Sequence, residues 1–521
     1  MIVLVGFMGS GKSSVGRSLA ALLGTGFADT DEMVEERAGE PIRSIFERSG
    51  EAAFRDLERL VVADALTGPA GVVALGGGAV EDTATRAGLA SDDVSVVYLD
   101  VPLATALERV GDGAARPMLA RGDPQTLYAA RAELYEAVAD CTVAGEVKPP
   151  RELAGEIADS LGLGPRRIRV AAAAGDYEVI VGRDLLSRLA VFVPADADPA
   201  SVFVVTHPSL VNLAGTAVES LASTGARLEL LTVPEGEGAK SFEGAVDLYC
   251  RLAEGAAHRN DLVVGLGGGV VTDLAGFVAS TYNRGMPIVH APTTLLAQVD
   301  AAIGGKTGVN LSGAKNLVGT FHAPVAVVCD VDALASLPVA ELRSGMAEVV
   351  KYGLIADSSL LEMITARAQE IVERDRDILM EVVARSASIK AAAVSADEHE
   401  AGPRAHLNYG HTFGHAIEAA AGYEIRHGEA ISIGMMAAAH LACVLGRIDE
   451  DAVAAHRNAL SALGLPVSAD VDLDPLERVW LRDKKYDRAV RFVLLAGLGR
   501  PEARVTAERE DIIEALKRLA S

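Results

Sequence analysis

The stretch GFMGSGKSS, residues 6–14, decides how the first part of the chain folds. It satisfies the pattern G-x-x-x-x-G-K-[ST] with Gly6, Gly11, Lys12 and Ser13. The apolar run IVLV precedes it and the helical pattern SSVGRSLAALL follows it, which is the required strand, loop and helix. In such a loop, backbone N–H groups wrap a phosphate, the lysine reaches the transferred group and the serine hydroxyl holds Mg²⁺. The stretch therefore predicts a nucleotide-binding α/β unit.

Composition limits what the rest of the chain can be. With 521 residues, half of them hydrophobic, we expect about two to four domains with cores of their own. The formal net charge of -24 argues against a nucleic-acid surface, so local basic clusters must meet any anionic substrate. No apolar run reaches the ~20 residues of a membrane span, and no secretion signal is visible, which favours a cytoplasmic protein. Buried free thiols are expected of the four widely spaced cysteines, Cys141, Cys250, Cys329 and Cys443.

Five further blocks follow the loop in order: FADTDEMVEERAG, IRSIFERSGEAAFRDLE, VVALGGGAV, ERVGDGAARPML and YAARAELYEAV. Taken singly, Asp29 and Asp31 could cap a helix, Arg55 could be a solvated arginine, and the glycines Gly76–Gly78 could form a turn. Their order and spacing resemble the shikimate kinases over the first 160 residues or so. Another small-metabolite P-loop kinase, such as a gluconate kinase, is the alternative.

The resemblance implies a role for each matching residue. Asp29 would bind Mg²⁺ through water together with Ser13, and Asp31 would orient the attacking hydroxyl of shikimate. Two arginines, Arg55 and Arg131, would clamp the substrate carboxylate, which a guanidinium fork matches bidentately. The remaining implied contacts are Gly77 and Gly78 to the substrate, Arg109 to adenine, Arg116 over the phosphates, and Gly9, Ser10, Gly11, Lys12, Ser13 and Ser14 to the nucleotide. Catalysis would rest on Lys12, Asp31 and Arg116.

A boundary is expected near Leu163, where Gly162, Gly164 and Pro165 end a helical pattern. Strand-like and helical runs then alternate to about residue 330, which predicts an α/β layer with a parallel sheet, and the rest is almost wholly helical. The glycine cluster GLGGGVVTDLAGF follows a strand and opens a helix, so it suits a pyrophosphate. It fails the pattern G-x-G-x-x-G because Val270 stands at the last glycine position.

Histidines and a distant glutamate predict a metal site in the helical part. His411, His415 and His427 lie within seventeen residues, and with Glu348 they could supply three ligands to one catalytic zinc. The residues alone leave His411 and His415 open as ligands, since they lie one helical turn apart. Several lysines near the same blocks indicate a phosphorylated and carboxylated substrate.

These blocks resemble the 3-dehydroquinate synthases over about 350 residues, most specifically in PEGEGAK, GGKTGVN and NYGHTFGHA. The resemblance implies that zinc is bound by Glu348, His411 and His427. It implies that NAD is held by Glu237, Lys240, Gly268, Gly269, Val270, Asp273, Thr293, Thr294, Lys306, Lys315 and Ser336. The substrate would be lined by Asp300, Lys306, Lys315, Asn316, Lys351, Lys390, Arg404, Asn408, His415 and Lys484, with Arg284 reaching it from a neighbouring subunit of a homodimer. Asp300, Lys306, Lys351 and His415 would be catalytic.

Two departures from that family touch the adenosine end of NAD. The chain reads VVTHPSL where acidic or amide residues often grip the ribose, so His207 and Ser209 leave NAD affinity less certain. Ser336 stands where a threonine is common. Alternatives for this half are a related sugar-phosphate cyclase, a glycerol-dehydrogenase-like oxidoreductase, or a degenerate scaffold.

The whole chain is thus expected to be an α/β bifunctional enzyme of aromatic amino acid biosynthesis. Residues 1–163 would be a P-loop kinase domain, a parallel sheet with flanking helices, that makes shikimate 3-phosphate with magnesium and ATP. Residues 164–521 would convert 3-deoxy-D-arabino-heptulosonate 7-phosphate into 3-dehydroquinate with NAD and zinc, or cobalt in its place. Within them, an α/β subdomain would span about 166–330 and an α-helical one about 331–521.

Overall fold

A computed structural model describes residues 1–91, 93–145 except 111–122, 148–194 except 174, 199–311, 314–422 except 399 and 401, 424–480 and 490–520. Arg116 and Lys484 lie outside the described residues. The chain divides into two compact units, Met1–Pro165 and Arg166–Ser521. Within the described part, no helix combines the length and apolar character that a membrane crossing requires.

The first unit is a five-stranded parallel sheet with helices around it, as the kinase-like sequence predicts. Its strands are β1 (Ile2–Val5), β2 (Phe27–Asp29), β3 (Val72–Ala74), β4 (Ser95–Asp100) and β5 (Cys141–Ala144), in the order β2-β3-β1-β4-β5. Its helices are α1 (Lys12–Leu23), α2 (Thr30–Ala38), α3 (Ile42–Thr67), α4 (Thr83–Leu89), α5 (Leu103–Val110), α6 (Pro124–Val138) and α7 (Pro150–Ser160). The central strands are fully buried, which explains why they read as continuous apolar runs.

The second unit begins with a seven-stranded sheet in the order β6-β7-β14-β11-β10-β8-β9. These strands are β6 (Arg166–Val170), β7 (Tyr177–Gly182), β8 (Ser201–Thr206), β9 (Arg227–Thr232), β10 (Leu262–Gly267), β11 (Ile288–Pro292) and β14 (Ala326–Asp330). Strand β6 is antiparallel to β7, and the other neighbours are parallel. Between β11 and β14 the chain forms a hairpin of β12 (Lys306–Leu311) and β13 (Ala314–Phe321). Helices α8 (Leu189–Phe192), α9 (Val211–Ala222), α10 (Phe242–Glu254) and α11 (Gly269–Thr281) accompany this sheet.

The remainder is helical apart from one short hairpin, which confirms the predicted fold class. Its helices are α12 (Val339–Ile355), α13 (Ser358–Ala366), α14 (Ala368–Val372), α15 (Arg376–Ala396), α16 (His411–Ala420), α17 (His427–Val444), α18 (Glu450–Ala462), α19 (Leu473–Trp480) and α20 (Arg509–Leu519). The hairpin consists of β15 (Phe492–Leu495) and β16 (Pro501–Val505). Of the four cysteines expected to be buried, only Cys329 is; Cys141 and Cys443 are partly buried, and Cys250 is exposed on α10, where it takes a solvent-facing helix position. All four are free thiols.

Helix α17 is the centre of the helical part. Nearly all its residues are buried, as is typical of a helix that is apolar on every side. Two glycines let other backbones approach it. A Cβ at Gly434 would lie 2.2 Å from the carbonyl oxygen of Gly410, just before α16, and a Cβ at Gly428 would lie 2.2 Å from the carbonyl oxygen of Ser344 in α12. Backbone contact at these glycines therefore positions α12, α16 and α17 against each other.

We predict that Gly434→Ala destabilises the second unit by about 2 kcal/mol or more, because the added methyl overlaps a backbone atom that cannot rotate away. Urea unfolding followed by the fluorescence of Trp480 measures this. Trp480 is the single tryptophan of the chain, and its Nε1 donates to the carbonyl oxygen of Thr412 in α16 at 2.8 Å.

Gly215→Ala is the matched control. Gly215 also lies inside a helix, α9, but a Cβ there meets no atom within 4 Å. That substitution should be neutral or stabilise by about 0.5 kcal/mol. Equal unfolding midpoints for the two variants would contradict the close approach at Gly434.

Candidate active sites

The phosphate loop of the first unit lies between β1 and α1. Lys12 Nζ donates to the carbonyl oxygens of Gly6 at 2.8 Å and Phe7 at 3.0 Å, so the loop closes around the lysine stem. Ser13 Oγ donates to Asp29 Oδ2 at 2.6 Å, which puts the two residues expected at Mg²⁺ side by side. Asp29 also caps α2 by accepting from the N–H of Asp31 at 2.9 Å. Burial raises the pKa of Asp29, although the hydrogen bond from Ser13 opposes the shift.

The two arginines expected at the substrate carboxylate converge beside the glycine triplet. Arg131 is fully buried on α6, and a Cβ at Gly78 would lie 2.4 Å from Arg55 Nη1. Each arginine already has an acidic partner: Arg55 Nη1 donates to Glu58 at 2.5 Å, and Arg131 Nε donates to Glu81 at 2.7 Å. A cavity of about 310 Å³ opens beside these groups. Sequence reasoning missed both glutamates, although Glu58 lies one helical turn after Arg55.

Other predicted contacts of the first unit are placed as follows. Gly77 accepts a hydrogen bond from the buried hydroxyl of Tyr135 through its carbonyl. Arg109 Nη2 donates to the carbonyl oxygen of Gly145, just after β5. Burial raises the pKa of Glu58 despite the neighbouring Arg55.

In the second unit, the glycine cluster lies at the carboxyl end of β10. Gly268 caps α11, and the N–H of Thr293 donates to the carbonyl oxygen of Gly267 at 3.0 Å. Thr294 lies against Gly268, since a Cβ there would be 2.9 Å from Thr294 Cγ2. The carboxyl ends of neighbouring parallel strands thus meet at a helix N-terminus, which is where such sheets bind nucleotides.

Charged residues surround this helix N-terminus. Lys240 is buried and pairs with Asp273 of α11 and with the Asn316 amide. Glu237 accepts from the Asn310 amide at 2.7 Å. Among the described residues, no side-chain hydrogen bond links Ser336 to this region; it is exposed at the end of the turn Val331–Ser336. His207 Nδ1 lies 2.8 Å from Ser209 Oγ after β8.

Three side chains of the helical part converge as a metal-ligand set. One ligand atom each of Glu348, His411 and His427 lies within 4.8 Å of the others. The Nε2 atoms of both histidines are 3.4 Å from Glu348 Oε1. His415 is outside this set, with its ring centroid 5.1 Å from that of His411. The geometry therefore favours His411 over His415 as a ligand, a choice that the sequence alone left open.

The buried carboxylate of Glu348 lacks normal hydrogen bonds. Neither of its oxygens accepts one from any described residue, although Lys351 forms an ion pair one turn along α12. Burial raises the pKa of Glu348, but Lys351 and His411 outweigh that effect and hold it well below its usual range. The other ring nitrogen of each histidine has a partner that orients the ring. His411 Nδ1 is 3.1 Å from the carbonyl oxygen of Tyr409, and His427 Nδ1 is 3.5 Å from Glu418 Oε2. This leaves each Nε2 facing the carboxylate.

The basic residues expected at the substrate are paired with acids. Lys390 Nζ donates to Asp300 at 2.5 Å, and the Tyr352 hydroxyl donates to the same carboxylate at 2.9 Å. Asp300 lies in a short π-helical segment, Ala297–Ala301, a form that is frequent at functional sites. Its pKa is raised by burial but lowered further by Lys390 and Lys351, to about 2.

Two more lysines meet glutamates that the sequence did not single out. Lys306 Nζ is 2.6 Å from Glu400, which also accepts from the Asn408 amide, and Lys315 Nζ is 2.8 Å from Glu418. Glu418 lies seven residues after His411, or two helical turns on the same face, so helical spacing could have revealed it. Arg404 is buried and donates to the backbone of Glu398 and Gly304. Burial lowers the pKa of Lys306 and, to about 3, that of His415.

Arg284 stands apart from these groups. It is exposed after α11, and both Asn283 and Arg284 have positive φ, at 49° and 64°. Two consecutive non-glycine residues in this conformation store backbone strain, which is typical of functional segments.

Comparison with known proteins identifies both units. Residues 8–162 match the family model of shikimate kinase, residues 230–344 that of the 3-dehydroquinate synthase N-terminal region, and residues 345–486 that of its C-terminal region. The 3-dehydroquinate synthase of Thermobifida fusca (strain YX) is 46% identical over 338 residues, 64% of this chain and 91% of that protein. The one of Arthrobacter sp. (strain FB24) is 42% identical over 357 residues, 67% of this chain and 96% of that protein.

Solved structures resemble the second unit. A 2-deoxy-scyllo-inosose synthase complexed with carbaglucose-6-phosphate, NAD+ and Co2+ is 27% identical with a TM-score of 0.63, over 68% of this chain and 100% of that one. The 2-epi-5-epi-valiolone synthase of Streptomyces hygroscopicus subsp. jinggangensis 5008, with NAD+ and Zn2+ bound, is 30% identical with a TM-score of 0.61, over 67% of this chain and 98% of that one.

Fold, sites and comparisons together define a P-loop kinase joined to a cyclase of the sugar-phosphate type. The chain belongs to the 3-dehydroquinate synthase family, and its first unit is a shikimate kinase domain. It therefore combines two enzymes of the shikimate pathway, which confirms the predicted function.

Proposed function

We propose that the buried cluster of Glu348, His411 and His427 is the catalytic zinc site of the second unit, and that NAD lies at the N-terminus of α11. The observation that carries the zinc proposal is the buried Glu348 carboxylate, whose oxygens have no normal hydrogen bond while two imidazole Nε2 atoms face it. One carboxylate and two imidazoles are a three-ligand set that leaves a position open for substrate. Bound zinc, or cobalt in its place, supplies a Lewis acid for the substrate oxygen, and NAD supplies reversible hydride acceptance.

The chain's own residues bind and orient the substrate around that set. Lys306, Lys351 and Lys390 supply positive charge for a phosphate and a carboxylate, and the acids that hold them keep them in place before the substrate arrives. Asp300 stays ionised at neutral pH because its pKa is about 2. His415 is neutral there, since burial and the two neighbouring histidines lower its pKa to about 3, so it adds no positive charge beside the metal-ligand set. Asn408 donates to Glu400, and Arg404 donates to the carbonyl oxygen of Glu398.

In the first unit, we propose that Asp31 orients the attacking hydroxyl of shikimate while Arg55 and Arg131 bind its carboxylate. Lys12 stabilises the transferred phosphoryl group, and Ser13 with Asp29 holds Mg²⁺. The contact between Ser13 and Asp29 and the contact of both Arg55 and Arg131 with Glu81 support these roles. Free thiols on all four cysteines support a reducing compartment, the cytoplasm.

The zinc proposal predicts which histidine variants lose the metal. Purified His411→Ala and His427→Ala should contain little zinc, because each removes one of three ligands, whereas His415→Ala should keep about one zinc per chain. Metal analysis after dialysis measures this without reference to activity.

Glu418→Ala should weaken zinc binding about 10- to 100-fold in a chelator competition, because the Glu418 carboxylate orients His427 through its Nδ1.

Glu424→Ala is the control for Glu418→Ala, since Glu424 is exposed in the connection that follows α16. It should leave zinc affinity unchanged. Loss of zinc from His415→Ala with retention in His411→Ala would overturn the ligand assignment and leave the family membership intact.

The proposed catalytic residues of each reaction lie within one unit, so we predict that one reaction can be lost without the other. Lys12→Ala should abolish phosphorylation of shikimate and leave 3-dehydroquinate formation near the wild-type rate. Coupled assays on the whole protein measure both rates. A parallel fall in the second rate would show that the two units depend on each other.

We further propose that the second unit forms a homodimer in which Arg284 reaches the partner's substrate phosphate. Support comes from its strained, exposed position and from the exposed apolar residues Phe242 and Val246 on α10 and Leu317 and Phe321 on β13. Sedimentation analysis should show a dimer, and Arg284→Ala should raise KM for the heptulosonate phosphate about tenfold or more without changing the sedimentation coefficient. A monomer in the wild type would contradict this proposal.

A further inference from the structure

Glu81 occupies an unexpected place beside the two arginines of the first unit. It follows the glycine triplet in a short turn, Ala79–Glu81. Its Oε1 accepts from Arg131 Nε at 2.7 Å, and its Oε2 accepts from Arg55 Nη2 at 3.4 Å. One exposed glutamate therefore bridges both guanidinium groups that are assigned to the substrate carboxylate.

The bridge satisfies a buried charge. Arg131 is only 1% exposed, and a buried guanidinium without a counter-charge is strongly unfavourable. Among the described residues, Glu81 is the one acid in ion-pair contact with Arg131. Glu58 is a counter-charge for Arg55 in the same way. The Glu58 side chain is only 6% exposed, whereas that of Glu81 is 39% exposed. Glu81 is thus the partner with room to move towards solvent.

The bridge is also incomplete. Glu81 takes the Nε edge of Arg131, while Arg131 Nη2 is buried with no hydrogen-bond partner among the described residues. A carboxylate that binds an arginine bidentately uses two neighbouring N–H groups at once. The cavity of about 310 Å³ beside Arg55, Glu58 and Glu81 gives such a carboxylate room to enter.

The charges around the cavity affect the binding of a further carboxylate. Glu51, Arg59 and Asp82 line the cavity together with Arg55, Glu58 and Glu81, so with Arg131 three arginines face four carboxylates. An arriving substrate carboxylate adds a fifth negative charge, and like charges at this range repel. The exposed carboxylate must therefore move or be repelled when the substrate binds.

We infer that Glu81 is a placeholder for the substrate carboxylate: it pairs with Arg55 and Arg131 before the substrate binds and competes with the carboxylate of the substrate. This rests on the proposed function of the first unit and adds a residue that sets its affinity. A competing internal carboxylate weakens substrate and product binding alike, so it favours release after phosphoryl transfer.

Calorimetric titration of the full chain with shikimate tests this inference. Glu81→Gln keeps the shape and removes the charge, and it should bind shikimate roughly three- to tenfold more tightly than wild type. The methyl ester of shikimate, which lacks the negative charge, should bind wild type and Glu81→Gln within about twofold of each other.

Glu47→Gln is the matched control, and Glu51 is unsuitable because it lines the same cavity. Glu47 is exposed on α3 and pairs with Arg43, so Glu47→Gln should change shikimate affinity less than twofold. Weaker binding by Glu81→Gln would mean that Glu81 positions the arginines, and unchanged binding would mean that it has no effect; either overturns the inference. A wild-type chain that binds no shikimate would instead overturn the proposed function.

Discussion

Contact between helix backbones at glycine is the constraint on which the second site depends. Glu348 lies in α12, while His411 and His427 are the first residues of α16 and α17. These three side chains can meet only if the three helices approach one another more closely than helices with larger side chains at the contact can. Gly428 touches α12 and Gly434 touches the residue before α16, so two missing Cβ atoms bring the three ligands within 4.8 Å. The surrounding apolar core of α17 then supplies the free energy that holds this geometry.

Charge pairing is the second constraint, and it acts in both units. The chain carries a net charge of -24, yet both sites must bind anions. The structure reconciles these facts with buried arginines and lysines that are already paired with glutamates or aspartates: Arg131 with Glu81, Lys351 with Glu348, and Lys390 with Asp300. A paired cation retains its charge and orientation in the empty pocket, which an isolated buried cation would not. Substrate binding is then an exchange of partners rather than the neutralisation of free charge.

This explains which parts could be predicted from the sequence. Phosphate-loop residues, the glycine cluster and the metal-ligand candidates have local signatures, because backbone conformation or metal geometry demands particular residues at fixed spacing. The choice between His411 and His415 required the tertiary structure, since both lie on one helix face and only the fold brings His411 within ligand distance of Glu348 and His427. Glu81 and Glu400 have no such signature. A carboxylate that pairs with an arginine fifty residues away is, in sequence, indistinguishable from a solvated one.

The two reactions are not consecutive in the pathway, so joining them does not serve direct transfer of an intermediate from one site to the other. Production of both activities in fixed ratio is the simpler advantage. The structure is consistent with this view because the described residues proposed for each reaction belong to one unit of the chain, Met1–Pro165 or Arg166–Ser521. The same separation means that affinity in the kinase can be adjusted by a residue such as Glu81 without altering the packing around α17, on which the synthase depends.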